Sequence, residues 1–511
     1  MRAMKRASLV FALFAATAAC GGGDGASTPD ADVSIPAAAC PPPSQIVDPT
    51  GGRKVGDGTA ASCTEAAFDA QLAMGGVIFF DCGPDPVTIV TSAEKPITQN
   101  VVIDGGGKVT LDGGGTHRLF SIANSDPMSL QPILTVQRLT FAHGAGPAID
   151  GGGGAITRRG GMLIVNECVF KDNQATQDGL NVGGGAIWTE GKAPTLIIGS
   201  VFTGNSASNG GALGTLSNEL KIFNSRFEGN KATGKAGNGG NGGALSVDGM
   251  GNRLEICGTS LVGNKANSLG GGLYRVAAMD DRTVINRSQL KGNEVADADG
   301  SMAGGAYLKG TPVQIFESAV VGNKARGVGG LYLGTGSTLF MVNSTVAENT
   351  ASNGLGGGLM LDTGVTGEVA QCTIARNKAQ GSMSSGGGVA GSAGGLTLTN
   401  SIIAANEVGN DANPINCTTP FMDGGGNIQF PLMHGSGSDD PGALCAPGVM
   451  KVDPKLGKLT EVVWEGGSDK TWVLVPEMGS PALSGGATGC SVSDQRGKTR
   501  PLPCTLGAVE P

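Results

Sequence analysis

From residue 150 onward two short marks alternate along the chain and impose a repeat on it. The first is a Gly-Gly step: Gly151–Ile156, Gly183–Ile187, Gly210–Leu213, Gly242–Leu245, Gly270–Tyr274, Gly304–Tyr307, Gly329–Tyr332, Gly356–Met360 and Gly386–Ala390. The second is an apolar residue followed three positions later by Asn: Phe170 and Asn173, Phe202 and Asn205, Phe227 and Asn230, Leu261 and Asn264, Leu290 and Asn293, Val320 and Asn323, Val346 and Asn349, Ile374 and Asn377, Ile403 and Asn406. Successive Asn residues lie 25 to 34 positions apart. A period in that range marks a solenoid, in which each unit buries its apolar face only against its neighbours.

The units are β. Apolar residues alternate in Leu220-x-Ile222, Leu254-x-Ile256, Val313-x-Ile315, Leu339-x-Met341 and Leu396-x-Leu398. Period two places one face of a strand inside. If each coil stacks a strand about 4.8 Å above the last, residues at one register form columns. An Asn column can pass amide hydrogen bonds from coil to coil, and Gly supplies positive φ at the bends. Asn173, Asn205, Asn230, Asn264, Asn293, Asn323, Asn349, Asn377 and Asn406 are therefore read as a structural ladder. A second column is expected at Asn166, Asn224, Asn286, Asn343 and Asn400. The expected fold is an all-β, single-stranded, right-handed parallel β-helix of about nine marked coils, with unmarked coils before residue 150 and after 406. The 90 glycines lack the strict period of three that collagen needs, and a 39% hydrophobic content excludes a disordered Gly/Ser linker.

Residues 1–19 read as a signal peptide: a basic start, then an apolar run of 11 residues, Leu9 to Ala19, too short to span a bilayer. Thr17-Ala18-Ala19-Cys20 resembles a bacterial lipobox, which implies a lipid on Cys20. Residues 20–50 then form a flexible tether, 51–411 the β-helix with an N-terminal cap, and 412–511 the final coils and a C-terminal cap. The expected address is the outer membrane or cell surface of a Gram-negative bacterium, with the membrane reached only through the lipid. Export permits disulfides. Cys63 with Cys82, Cys417 with Cys445 and Cys490 with Cys504 are the candidate bridges. Cys168, Cys257 and Cys372 read as small buried hydrophobes, and Cys40 has no evident partner. In the opening stretch, 65–74 fits a short helix that offers Ala66, Phe68, Leu72 and Met74 to the end of the first coil.

The Gly-Gly and apolar-x-x-Asn marks resemble the repeats of the chlamydial polymorphic outer membrane proteins, over residues 150–406. The tail, with Ser401–Asn406, Asp423–Ile428, Val452–Leu459, Gly479–Gly486, Asp494–Pro501 and Leu506–Glu510, resembles the bacterial choice-of-anchor Q domain proteins, as do Cys63–Gly83 and Val101–Phe120. These resemblances imply a pectin-lyase-like solenoid displayed at the surface, whose last segment caps the open end. They carry no activity.

Chemistry is sparse. A glycosidase needs two carboxylates held about 5–9.5 Å apart, and a lyase needs clustered Asp residues with a nearby base. The best local set is Asp104, Asp112, His117, Arg118 and His143. The first two each precede a run of glycines, which reads as turn chemistry. Asp494, Gln495, Arg496 and Arg500 read as ion pairs within the cap. No metal-ligand spacing and no cofactor motif occurs, and a net charge of −8 gives no basic patch for nucleic acid. Tyr274, Tyr307 and Tyr332 fall two residues after the Gly-Gly step in successive coils. That register matches Ile187, Leu213 and Leu245, which favours an inward stack. Leu331 and Leu333 around Tyr332 favour the outward alternative, a platform for glycans that burial of Tyr332 would exclude. The functional expectation is a non-enzymatic surface scaffold or adhesin with glycan or surface-protein partners; the alternative is a carbohydrate-active enzyme, a polysaccharide lyase or glycoside hydrolase.

Overall fold

The computed structural model describes residues 40–511 apart from 148–151, 236, 252, 279–280, 435, 439, 441–443, 466–469 and 487–488. Cys20 and the expected leader lie outside the described residues. The chain winds into a parallel β-solenoid of about thirteen turns. One turn shows how the repeat is spent. Leu213–Leu216 enters an 11-stranded sheet, the chain turns, and Leu220–Phe223 joins a 25-stranded sheet. Asn224, at φ 48°, then bends the chain, and Arg226–Glu228 continues in the same wide sheet. Gly229, at φ 64°, makes the next bend, Asn230 turns inward, and Lys231–Ala232 adds to a narrow sheet of eight two-residue strands.

At the second bend the Asn side chains form a continuous line, each donating to the Oδ1 of the next. It begins with Asn173 to Asn205 at 3.0 Å and continues through Asn230 and Asn264 to Asn293. Asn293 donates to Asn323 at 3.0 Å, Asn323 to Asn349 at 2.9 Å, and Asn349 to Asn377 at 2.9 Å. Asn377 reaches Asn406 at 3.0 Å, and Asn406 extends the line to Asn416 at 3.0 Å. Each amide also donates to the backbone of the preceding turn, as Asn323 does to Leu290 O and Asn349 to Val320 O, both at 2.8 Å. The apolar residue three positions earlier points into the core. Phe141, Phe170, Phe202 and Phe227 stack there with centroids 4.8, 4.6 and 4.5 Å apart, and Leu261, Leu290 and Val320 continue the column.

The second Asn column is two columns. Asn166 and Asn286 close strands, whereas Asn224, Asn343 and Asn400 occupy the positive-φ bend one residue further on. Beside that bend runs a hydroxyl ladder that the sequence reading missed. Ser200 N donates to Ser225 Oγ at 3.1 Å, and the pattern repeats at Thr259 N to Ser288 Oγ and at Cys372 N to Ser401 Oγ, both 3.1 Å.

Both ends of the described chain run along the outside of this bend. Cys40 is bonded to Cys257, and residues 40–47 descend from there. Asn224 Nδ2 donates to Cys40 O at 2.9 Å, and Gln137 brackets Val47 with two bonds of 2.9 and 2.7 Å. Under this strap lies an outward apolar strip of Leu196, Ile198, Phe223 and Cys257. Cys257 was expected in the core, but Ile256 takes the inward position, so period two turns the cysteine out to meet Cys40. Cys63–Cys82, Cys417–Cys445 and Cys490–Cys504 are the other bridges, while Cys168 and Cys372 are free and buried.

Most of the final segment, from 456 on, is a second strap rather than part of the end cap expected over 412–511. Leu456–Val463 and Lys470–Pro476 form an antiparallel hairpin that lays Leu474 on Ala319, Val321, Ala347 and Ala375. Small outward residues in that part of the wide sheet let the hairpin approach. The tail follows the bend: Asn343 donates to Ser493 O at 2.8 Å, Gln371 accepts from Ser491 N at 2.9 Å, and Gly507 N donates to Asn400 O at 2.9 Å. The buried Asp494 with the half-buried Arg496, and the buried pair Arg500 with Glu510, are ion pairs that lock this strap. The open end is covered instead by Leu444, Cys445, Ala446 and Val449, which join the main core. At the other end the helix Glu65–Leu72 buries Phe68 completely. Ala66 and Met74, expected to help, are exposed: Ala66 falls on the outer side of the helix, and Met74 lies beyond its end at Leu72.

Candidate functional site

The most numerous polar side chains of the repeat are unavailable to a ligand. Asn173, Asn205, Asn230, Asn264, Asn293, Asn323, Asn349, Asn377 and Asn406 are all buried, and their amides are spent on one another and on the backbone. Any site must therefore be sought among residues that do not recur.

Asp104 and Asp112 share one long strand, Val101–Asp112, but sit at its two different bends. Asp104 pairs in register with Gln137, before the bend at Arg138; Asp112 pairs with Ala142, before the bend at His143. Their register partners Gln137 and Ala142 are five residues apart, roughly 16 Å of strand, so the two carboxylates do not converge on one bond.

Asp104 is 1% exposed and fully engaged. It accepts from Arg138 Nε at 3.0 Å, Gln137 Nε2 at 2.8 Å and Gly106 N at 2.8 Å, and is also ion-paired with the Arg138 terminal nitrogen. Since Gln137 holds Val47 as well, this carboxylate is the root of the N-terminal strap. Asp112 caps its own turn, accepting from Gly114 N at 2.8 Å, and faces His143 Nδ1 at 2.9 Å. His117 is spanned by Thr91 at 2.9 Å and Thr116 at 3.0 Å. Arg118 lies buried, donating to Gly153 O at 2.8 Å and Gly152 O at 3.0 Å and pairing with Glu94 at 3.2 Å. Asp104 and Arg118 are thus held by contacts of their own, whereas Thr91 Oγ1 joins His117 Nε2 at 2.9 Å to Asp112 O at 3.1 Å, so Asp112, His117 and His143 lie together. His143 is the most open of them, with its side chain 51% exposed, and Asp112 and His117 are half-buried.

The tyrosines do stack, but outward. Centroids of Tyr274 and Tyr307 lie 5.5 Å apart and those of Tyr307 and Tyr332 4.6 Å apart, with ring planes within 18° and 23° of parallel. Their register partners in neighbouring turns are Trp188, Gly214 and Ser246 on one side and Met360 on the other. The expected match to Ile187 fails by one position: Leu273 pairs with Leu245, and Leu331 takes the inward site in its turn. A third glycine, Gly272, stands where the earlier turns carry Ala186, Ala212 and Ala244, so counting from the last glycine misplaces the strand.

Outward does not mean open. Tyr332 is 7% exposed, packed by Ala303 and Val328, and its hydroxyl donates to Asp362 at 2.7 Å. Burial, and then the bond to Asp362, raise its pKa, so it stays protonated across the neutral range. Burial likewise raises Tyr274, with Asp248 adding to the effect, and Tyr307. Stacked rings turn their faces to one another and leave edges for a ligand. The three-ring platform is thereby excluded, and what remains is the edge pair of the half-buried Tyr274 and Tyr307.

No sequence feature hinted at a depression of about 280 Å³ beside the N-terminal helix, lined by Glu65, Asp69, Ser92, Lys95 and Gln99 among others. Lys95, 6% exposed, reaches Glu65 at 2.8 Å and Asp69 at 2.6 Å. Burial alone would raise the Glu65 carboxyl, but Lys95 and the Ser92 amide outweigh it and hold it at about 2. These bonds seat the helix on the first turns. Among the described residues, no three His, Cys, Asp or Glu side chains come together to hold a metal ion.

No family model matches the chain, and no curated protein matches it. Among solved structures, a mutant of the periplasmic alginate epimerase AlgG is similar in 69% of this chain and 77% of that chain, at 10% identity and a TM-score of 0.32.

Proposed function

We propose that this chain is a non-enzymatic, lipid-anchored surface rod that works as a binding or structural scaffold of the adhesin kind. The observation that carries the reading is the commitment of its acid–base set to internal contacts. Asp104, His117 and Arg118 are each spent on holding turns or straps together, and Asp104 and Asp112 stand at different bends. A frame that consumes its own charged groups suits presentation better than turnover. For a ligand, the edges of Tyr274 and Tyr307 on the 11-stranded sheet are the contact offered, with glycans as the class; Tyr332 is withdrawn from that role.

The test is a panel of neutral and acidic polysaccharides, scored for binding and for chain cleavage. Binding that weakens in Tyr274→Ala and Tyr307→Ala, without cleavage, is expected. Depolymerisation of any member would overturn the scaffold. The enzyme alternative rests on one observation, the exposed Asp112–His143 pair at 2.9 Å. It requires that any cleavage found be abolished in His143→Ala.

A further inference from the structure

Arg158 carries its charge into the interior of the coil. Period two turns it inward on Ile156–Arg159, in register with Ile122 in the turn before and Thr189 in the turn after, and it is 0% exposed. The other buried arginines have acids to answer them. Arg118 pairs with Glu94, Arg287 with Glu317 and Arg500 with Glu510, while Asp281 and Asp248 favour the charge of Arg275. Among the described residues no carboxylate pairs with Arg158. Glu190, whose charge acts on it, is turned to the surface and faces Arg159 at 3.9 Å. Arg158 Nη1 donates to Gly161 O at 2.7 Å and Nη2 to Thr195 Oγ1 at 3.3 Å, but Nε is buried without a partner.

The surroundings are neutral and rich in hydroxyls. Thr195 and Thr189 both donate to Asn218 Oδ1, at 2.9 and 3.2 Å. Thr215, in register with Thr189 one turn on, buries a hydroxyl that has no partner. Burial pushes Arg158 down to about 10, so the guanidinium is still charged at neutral pH. A water satisfies Nε but leaves that charge unanswered, and an uncompensated buried charge is strongly destabilising. We infer that the interior corner at Arg158 holds a small monovalent anion of the halide class against Nε. Nε and the Thr215 hydroxyl are the unspent donors, too few for the oxygens of a phosphate or a carboxylate. The ion is enclosed as the coil closes, so its presence is read through stability.

The test is thermal unfolding of the whole chain in sodium chloride and in sodium gluconate at equal ionic strength, with Arg158→Met beside the parent. Chloride should raise the parent's midpoint by about 1–3 °C relative to gluconate, and should leave Arg158→Met unmoved. Without chloride, Arg158→Met should match or exceed the parent, because it removes a buried charge that then has no counter-ion. Crystals of the parent grown in sodium bromide should show an anomalous peak within hydrogen-bonding distance of Arg158 Nε. That readout decides the matter even where the variant fails to fold. A parent indifferent to chloride overturns the proposal, as does a chloride effect that persists in Arg158→Met. So does a peak at Nε without the bromide signal, which is water.

Discussion

Cys40 is joined to Cys257 across 217 positions, with their Cα atoms 5.7 Å apart. The bond closes most of the N-terminal half of the chain into one loop and clamps the strap over Leu196, Ile198 and Phe223. Breaking it should lower stability by about 2–4 kcal/mol, the usual range for a native bridge. Urea unfolding of Cys40→Ser/Cys257→Ser checks this. An unchanged midpoint would mean that Asn224 and Gln137 hold the strap unaided.

The Asn ladder should be intolerant at its centre. Asn264 accepts from Asn230 N at 3.0 Å and Nδ2 at 2.9 Å, and donates to Phe227 O and Asn293 Oδ1. Asn264→Ala leaves several buried polar groups without partners, and a loss of about 3–5 kcal/mol is expected at about 1–3 kcal/mol for each group left unsatisfied, partly relaxed. The neighbouring Lys265 is exposed and pairs with Glu294 at the surface, so Lys265→Ala should cost less than about 1 kcal/mol. Thermal melts of the two variants side by side decide the matter.

How far the sequence could be read follows from what its residues repeat. The Asn column and the apolar column three positions before it recur at one register from Asn173 to Asn406, so the stacking rule alone locates them. Asn323 and Asn349 show this well: they follow Val320 and Val346 rather than Phe, yet hold the same place in the line. The Ser200-to-Ser401 ladder recurs as well, but Ser is common in turns of any kind and carries no apolar partner to mark it. Asp104 was visible as a carboxylate before glycines, yet its role as root of the N-terminal strap was not. Its partners Gln137 and Arg138 follow 33 and 34 positions later and belong to no motif. The straps themselves are one-off contacts between distant segments, with no period to reveal them. Tyr274 shows the opposite failure: a repeat was visible, but one glycine substituted for alanine shifted the count and reversed the face.

Tyr332 supplies a prediction on the stack. Its hydroxyl donates to Asp362 at 2.7 Å, and Asp362 also accepts from Thr335 Oγ1 at 3.1 Å. Tyr332→Phe keeps the ring and removes the donor, so a loss of about 1–2 kcal/mol is expected for a buried bond to a carboxylate. Tyr307→Ala also removes a ring stacked on both sides and should cost more, about 3–5 kcal/mol. Chemical denaturation compares them. Equal effects would mean that the Tyr307 ring contributes no more than one hydrogen bond and that stacking adds little.

Acid should loosen the N-terminal cap before the solenoid. The Glu65 carboxyl is held at about 2, below its ordinary value of 4.5, because Lys95 and Ser92 bond its charged form. A depressed carboxyl contributes its stability above the unfolded value, and that contribution is lost as pH falls from about 4.5 toward 2. Over this window protection, taken relative to the intrinsic exchange rate at each pH, should fall first in the helix Glu65–Leu72 and in Lys95–Pro96, while the strands around Asn264 stay protected. Glu65→Gln cannot titrate, so protection in the same segments should be lower at pH 7 and should change little further down to about pH 2.5. Loss of protection in both regions at one pH, in both proteins, would show that the cap has no separate acid transition and that Glu65 does not govern it.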